Sequence, residues 1–418
     1  MTNLERLPFF VLGVLLLLFT IRAVVVEFVV PRPSRSWVTR LNNRTMHAVF
    51  RWLAGRASAY PARDRILAVG GPVTILTELL LFVALLLLAL TLMVFGVSPR
   101  TLDDSAYQAG STLLTLGILE PVNRPQIAIG LLAAFLGLVV VAVLIGHLLT
   151  LSSAFSGREE LVVASGPLYG QPPWGPEALC RAELIKPSTA DQGNPMLWVA
   201  WCNRIRETQS VNPVLNYYRS PSPLQNWVVS LLAALDAAAL DVTTVHSDPD
   251  PHQIRLIVEG TQTLAALRAV HDSGGPDGDD SHAEVVVETL QTLNSTPEHH
   301  ALVRSFVEDS VAELRMEGTE VRLAAPRRAE RSEPGITRDE FDHAIGLMRR
   351  AGVNLVEDLD TAWAAFAKVR QAYAPHAYYL AEVLDAVPAP WSGRRYPGEA
   401  TIWPHLSAEQ LPEVSERE

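Results

Sequence analysis

Cysteine is nearly missing from this chain. Two residues in 418, Cys180 and Cys202, exclude a disulfide-stapled scaffold and a cysteine-rich metal centre, and are expected to be reduced core residues. Lysine is as scarce. Of 34 basic residues only Lys186 and Lys368 are lysine, an arginine bias that, with abundant alanine, suggests a GC-rich bacterial genome. Charged residues make up 19%, below the roughly 25% of a soluble domain. Catalytic signatures are lacking too: there is no Gly-x-Gly-x-x-Gly after a strand pattern, no Walker A sequence, no His-Glu-x-x-His and no Gly-x-Ser-x-Gly. The chain is therefore not expected to be an enzyme, and no cofactor or metal is expected. The adjacent His299 and His300 would not share a helix face.

What the chain has is a division. Residues 1–156 hold the long apolar runs and carry 12 arginines against 7 acids, a balance of +5; the total of −11 leaves about −16 for residues 157–418. So acidic a tail argues against nucleic-acid binding. Three segments are predicted to cross a lipid bilayer. The first, 1–30, is read as a retained anchor span, although Arg22 and Glu27 interrupt it. The second, 72–97, contains the uninterrupted apolar run Leu79–Phe95 with Thr91 its one polar residue; the third, 126–151, is apolar apart from Gln126, Thr150 and His147. Segment 31–71 bears eight arginines against Asp64, whereas the segment between spans two and three has only Arg100 and Arg124. The positive-inside rule then puts 31–71 and the tail in the cytoplasm and the N-terminus outside, in a bacterial inner (plasma) membrane. Within 31–71, Val38, Leu41, Met46, Val49, Trp52 and Leu53 fall near helical spacing, with Arg40, Arg44 and Arg51 on another face. Such a helix would lie on the inner leaflet, where each arginine near anionic lipid is worth about 1 kcal/mol, or pack on the tail domain.

Between spans two and three, residues 103–121 read Asp-Asp-Ser-Ala-Tyr-Gln-Ala-Gly-Ser-Thr-Leu-Leu-Thr-Leu-Gly-Ile-Leu-Glu-Pro. This stretch is too apolar for a solvated loop and too short and too broken by Gly and Pro to span. A re-entrant helix followed by extended backbone fits it. Here the chain resembles the two-helix pore module of the potassium-channel family. Thr115, Leu116, Gly117, Ile118, Leu119 and Glu120 stand in register with the family's Thr-Val-Gly-Tyr-Gly-Asp filter, and Thr112 matches the threonine three residues earlier. The resemblance implies a mainly α fold, with three spans and a re-entrant pore loop, assembled as a homotetramer that passes monovalent cations, potassium among them, along residues 112–120. It departs from the family at Ile118 and Leu119, where the filter tyrosine and second glycine should be. Potassium selectivity therefore does not carry over, and a non-conducting membrane scaffold or sensor is the competing expectation. Asp103 or Asp104 is expected to cap the pore helix, and Glu120 to place carboxylates at the outer mouth. Gly137 and Gly146 are candidate hinges or close-packing sites. His147 is a candidate titrating group at the inner mouth, or a histidine at the interface.

The tail, 156–392, is predicted to be a helical cytosolic domain with a Gly/Asp-rich linker near 271–282, a second helical group at 283–315 and a loose end, 393–418. A helix is expected over 224–240, with Trp227, Leu231, Ala234, Leu235 and Ala238 as its apolar stripe. A capping box is expected at Thr337–Glu340, followed by Trp363, Phe366, Val369 and Tyr373 along one helix face. Trp198, Trp201, the Pro213–Ser220 stretch, Trp227, Asp236 and Leu240, with Trp363, Phe366, Tyr373, Pro375 and Trp391, look similar to the soluble C-terminal regions of bacterial potassium-channel-like proteins. That likeness implies helices and a cytosolic place, and no activity.

Overall fold

The computed structural model describes residues 3–28, 30, 37–185, 193–246, 250–271 and 335–393. The linker past His271, the group 283–315, the tail past Gly393 and the arginines at 32 and 35 lie outside these residues. The chain is mainly α-helical; its one β interaction among the described residues is an isolated antiparallel bridge between Val245 and Leu355. It divides into two compact units, Met1–Phe155 and Ser156–Glu418. Four helical segments are long and apolar enough to cross a membrane, Arg6–Phe28, Tyr60–Val97, Arg124–Tyr169 and Trp227–Thr244, which marks a membrane protein.

The first unit is built on α1 (Asn3–Phe28), α2 (Trp37–Ala54), α3 (Tyr60–Ala68), α4 (Gly70–Val97), α5 (Leu102–Leu113) and the first part of α6 (Arg124–Tyr169). α1 and α4 are apolar over most of their length, and as helices they satisfy each backbone group internally, as hydrocarbon surroundings would require. The two run antiparallel. Arg6, in the first turns of α1, donates to the carbonyls of Ser98 and Arg100 just past the end of α4, and its guanidinium stands 4.8 Å from the Phe95 ring centre. At the opposite end the Phe28 ring meets Phe82 edge-on at 5.6 Å. Their backbones approach where glycine permits it: a Cβ on Gly96 would strike the backbone of Phe10, and one on Gly13 the Ala89 carbonyl.

The amphipathic α2 is pinned to the first turns of α4. Thr39 donates to the buried Glu78 carboxyl at 2.6 Å, Asn42 donates to the Thr74 carbonyl at 2.9 Å, and Thr77 donates to the Asn42 amide oxygen at 3.1 Å. The apolar run of the third predicted span ends near residue 151, yet the helix does not. Nothing in Ser152–Gly166 forbids helix, and α6 continues to Tyr169.

In the second unit α9 (Trp227–Thr244) is wrapped by α7 (Gly175–Ile185), α8 (Pro195–Val211), α10 (Pro251–His271) and α12 (Leu359–Val383), while α11 (Arg338–Ala351) packs on α7. Sequence reading predicted a stripe on this helix. The structure buries all round it, which is why α9 is apolar enough to pass for a span. Its one deeply buried charge decides the matter. Asp236 receives Arg370 Nε at 2.8 Å and Nη2 at 3.1 Å, and the Tyr373 hydroxyl at 2.7 Å. Arg370 also donates to the Trp391 carbonyl and to Tyr378. Burial opposes the Arg370 charge, and the Asp236 carboxylate more than offsets it, holding the guanidinium above its ordinary range. Losing one partner of such a pair typically costs about 3–5 kcal/mol. The capping box forms as expected, Thr337 N–H donating to Glu340 at 2.6 Å and Glu340 N–H to Thr337 Oγ1 at 3.2 Å.

Asp241 generates a pH prediction. It lies in the last turn of α9, where burial and the nearby Asp250 push its carboxyl up to about 6 from 3.8. Between those values only the unfolded chain gives up the proton, so this residue's contribution to stability is lost as pH rises from about 4 to 6. Asp241→Asn is expected to stabilise the protein at pH 7.5 by on the order of 2 kcal/mol and to change little near pH 4. Thermal melts of the detergent-solubilised protein at both pH values check this; equal effects at both would contradict it.

Candidate functional site

The segment between α4 and α6 starts with a helix cap. Thr101, in extended backbone, accepts from the Asp104 amide at 3.3 Å and donates to the Asp104 carboxylate at 2.9 Å. The cap of α5 is thus Thr101, in place of the expected Asp103 or Asp104. Both acids occupy the first turn, where they complement the positive helix end. The Thr101-x-x-Asp104 pattern carried this signal in the sequence. Ser105, Gln108, Ala109, Ser111 and Leu113 form the buried side of α5, while Asp103, Asp104 and Tyr107 stay exposed.

How far α5 reaches follows from its neighbours. Asn123 Nδ2 donates to the Val97 carbonyl at 2.7 Å, so the end of α4 and the start of α6 are level. A Cβ on Gly110 of α5 would lie 3.5 Å from the side chain of Leu87, which is ten residues back from Val97, about 15 Å at 1.5 Å per residue. On the other side, the Thr112 methyl lies 3.7 Å from where a Gly130 Cβ would be, and the Leu113 carbonyl abuts Gly137. Those positions are six and thirteen residues into α6, about 9 and 20 Å from its start. Ala109 and Leu113 share one core cluster with Leu86, Leu90 and Met93 of α4 and Ile129, Ala133 and Leu136 of α6. The C-terminal end of α5 therefore sits roughly half of a ~30 Å apolar span away from the level of Val97 and Asn123.

There the chain turns sharply. Leu114 N–H donates to the Gly110 carbonyl at 2.9 Å, Thr115 N–H to Thr112 at 2.9 Å, and Leu116 and Gly117 both to Ser111, at 2.7 and 3.2 Å. This is a Schellman closure with Thr115 at the left-handed position, φ 61°, and Gly117 left-handed again at φ 59°. Glycine suits that conformation; a β-branched threonine there is strained. Leu119, which stands where the filter's second glycine should be, keeps a negative φ; the left-handed non-glycine residue of this segment is Thr115. With four successive amides turned into the helix end, the carbonyls of residues 114–119 receive no hydrogen bond from the described residues. Leu114, Thr115, Leu116, Gly117, Ile118 and Glu120 are exposed; Leu119 is half-buried. The chain then rejoins α6, where Asn123 Oδ1 accepts from the Gln126 amide and Gln126 Oε1 from the Val122 amide.

Thr112 and residues 115–120 thus gather at and beyond one helix end, while Asp103 and Asp104 stand at the other end of α5. The Thr112 hydroxyl is spent within the helix, donating to the Gln108 carbonyl at 2.8 Å. Gly137 is a close-packing site under Leu113, and Gly146 faces open space. His147, half-buried, sets its ring edge-on to Phe28 of α1 at 4.8 Å. Sequence reasoning missed Ser111, whose carbonyl takes two loop amides, and Asn123, which ties α6 to α4.

A Cβ at 137 must collide with the Leu113 carbonyl, whereas one at 146 has nothing within 4 Å. Gly137→Leu is expected to lower stability by about 1–3 kcal/mol and to speed amide hydrogen exchange at residues 114–117. Gly146→Leu is expected to stay within about 0.5 kcal/mol with exchange unchanged. Equal behaviour of the two variants would contradict this packing.

No family model, no curated protein and no solved structure matches the chain, so any reading of the site rests on its own residues and geometry.

Proposed function

We propose that the chain is one subunit of an oligomeric cation channel, a homotetramer in the bacterial plasma membrane. In this reading α1, α4 and the first part of α6 cross the bilayer. The 31–71 segment and the second unit are cytoplasmic, and α5 with residues 114–120 enters the membrane from outside and returns. The observation that carries it is the end of α5 halfway along α4 and α6, with the carbonyls of 114–119 taking no hydrogen bond from the described residues. Backbone carbonyls at such depth need a polar partner; a permeating monovalent cation, potassium among the candidates, and its water would supply one. The negative end of the α5 dipole points the same way. One loop cannot enclose a pathway, and four around an axis can. The exposed Leu131, Leu138 and Leu149 on α6, each about two-thirds accessible, give neighbouring subunits or lipid an apolar surface to cover. Glu120, exposed beyond the turn, would set four carboxylates at the outer mouth and concentrate cations there. Ile118 and Leu119, in place of the filter's tyrosine and glycine, predict weaker discrimination among monovalent cations than a potassium filter achieves.

Purified full-length protein is expected to be tetrameric by native mass spectrometry and to give cation currents in planar bilayers. Glu120→Gln should lower single-channel conductance about two- to fivefold at 50 mM salt and far less at 1 M, because the carboxylate ring is screened at high salt. A folded protein silent across voltage and pH would overturn conduction in favour of a membrane scaffold or sensor. Unchanged conductance in the variant would remove Glu120 from the pathway.

A further inference from the structure

The helix α2 has three faces with three chemistries. At 100° per residue, Thr39, Asn42 and Phe50 fall on the side that meets α4. Next to it, Arg40, Arg44 and Arg51 occupy a sector of about 40°, all three exposed. Beside the arginines, Trp37, Ala48, Leu41 and Trp52 fill a further 60° or so, and these too are exposed, Trp37 by 59%, Leu41 by 56% and Trp52 by 63%. The Arg56 guanidinium, from just past the end of α2, stands over the Trp52 ring, 3.2 Å from its centre. Two tryptophans and a leucine in water are costly unless something covers them. Arginine beside tryptophan, along a helix held at the base of a membrane helix, matches the boundary between acyl chains and phosphates.

We infer that the exposed face of α2 lies on the cytoplasmic surface of the bilayer, with Trp37, Leu41, Ala48 and Trp52 in the acyl boundary and Arg40, Arg44 and Arg51 on the headgroup phosphates of anionic lipid. The occupant is lipid because the apolar and basic strips are adjacent and parallel, as the headgroup boundary requires, and because net positive charge is confined to the unit that holds the apolar helices. Through Thr39–Glu78 and Asn42–Thr74 the bound helix grips α4, so the headgroup charge of the membrane bears on the base of that helix. The inference rests on the reading that α4 spans the membrane, and its test separates the two.

A nitroxide on Ala48→Cys in the full-length protein reports the environment of this face. Cys180 and Cys202 stay silent, since burial pushes both thiols up to about 12. In nanodiscs of phosphatidylglycerol and phosphatidylcholine, oxygen is expected to relax the label about fivefold more effectively than a water-soluble nickel chelate, as it should for a control label at Leu88→Cys on α4. Changing Arg40, Arg44 and Arg51 together to glutamine should reduce that ratio about threefold, and so should discs of phosphatidylcholine alone. A water-accessible label at 48 with a lipid-exposed control overturns the inference and leaves the span reading intact. A label shielded from both reagents means protein covers the face, which also overturns it. A water-accessible label at Leu88 overturns the span reading itself. A ratio indifferent to the arginines and to lipid charge removes the anionic specificity.

Discussion

The first unit depends on backbones that come closer than side chains normally allow. Gly13 and Gly96 let α1 lie against α4, and Gly137 leaves room for the Leu113 carbonyl. Helices in an apolar environment gain little from burying more apolar surface, so close van der Waals contact has to hold them. The same economy governs the chain between α4 and α6. Its amides at 114–117 are folded back onto Gly110, Ser111 and Thr112, and its carbonyls at 114–119 take no hydrogen bond from the described residues.

The second unit solves the opposite problem. In it α9 is as apolar as a membrane helix, yet it is sheathed by protein and fixed by a charge. Asp236, Arg370 and Tyr373 pair completely inside the core, a device that needs partners from a distant part of the chain and is out of place on a lone span. In the first unit Glu78 is likewise buried, but its partner is the neutral Thr39 hydroxyl. One unit thus pairs an internal acid with arginine, and the other meets it with a hydroxyl.

Much of this was legible in the sequence because it follows from local pattern. The apolar runs gave α1, α4 and α6, and the Thr337–Glu340 spacing gave the cap of α11. What was hidden depends on contacts between distant residues. Thr101 outcompeted Asp103 and Asp104 as the cap because it precedes Asp104 by three residues. The left-handed backbone falls at Thr115 and Gly117, ahead of Leu119, because the chain reverses where α5 ends. The end of α6 was invisible because the loss of apolar character near residue 151 marks a change of surroundings, while the backbone continues unbroken. No pattern in residues 224–240 distinguishes a helix buried on one side from one buried on all.

The central claim is the depth of α5 beside α4, and it can be read without any assumption about conduction. Cysteines at Leu87 and Gly110, where a Cβ on Gly110 would lie 3.5 Å from the Leu87 side chain, should be joined within one chain by a short thiol-specific crosslinker in native membranes, as should a reference pair at Phe9 and Phe95, whose rings stand 5.2 Å apart. Efficient coupling of both pairs is the expected result. Coupling of the reference pair alone, with Gly110→Cys open to membrane-impermeant thiol reagents, would place α5 on the outer surface and contradict the account.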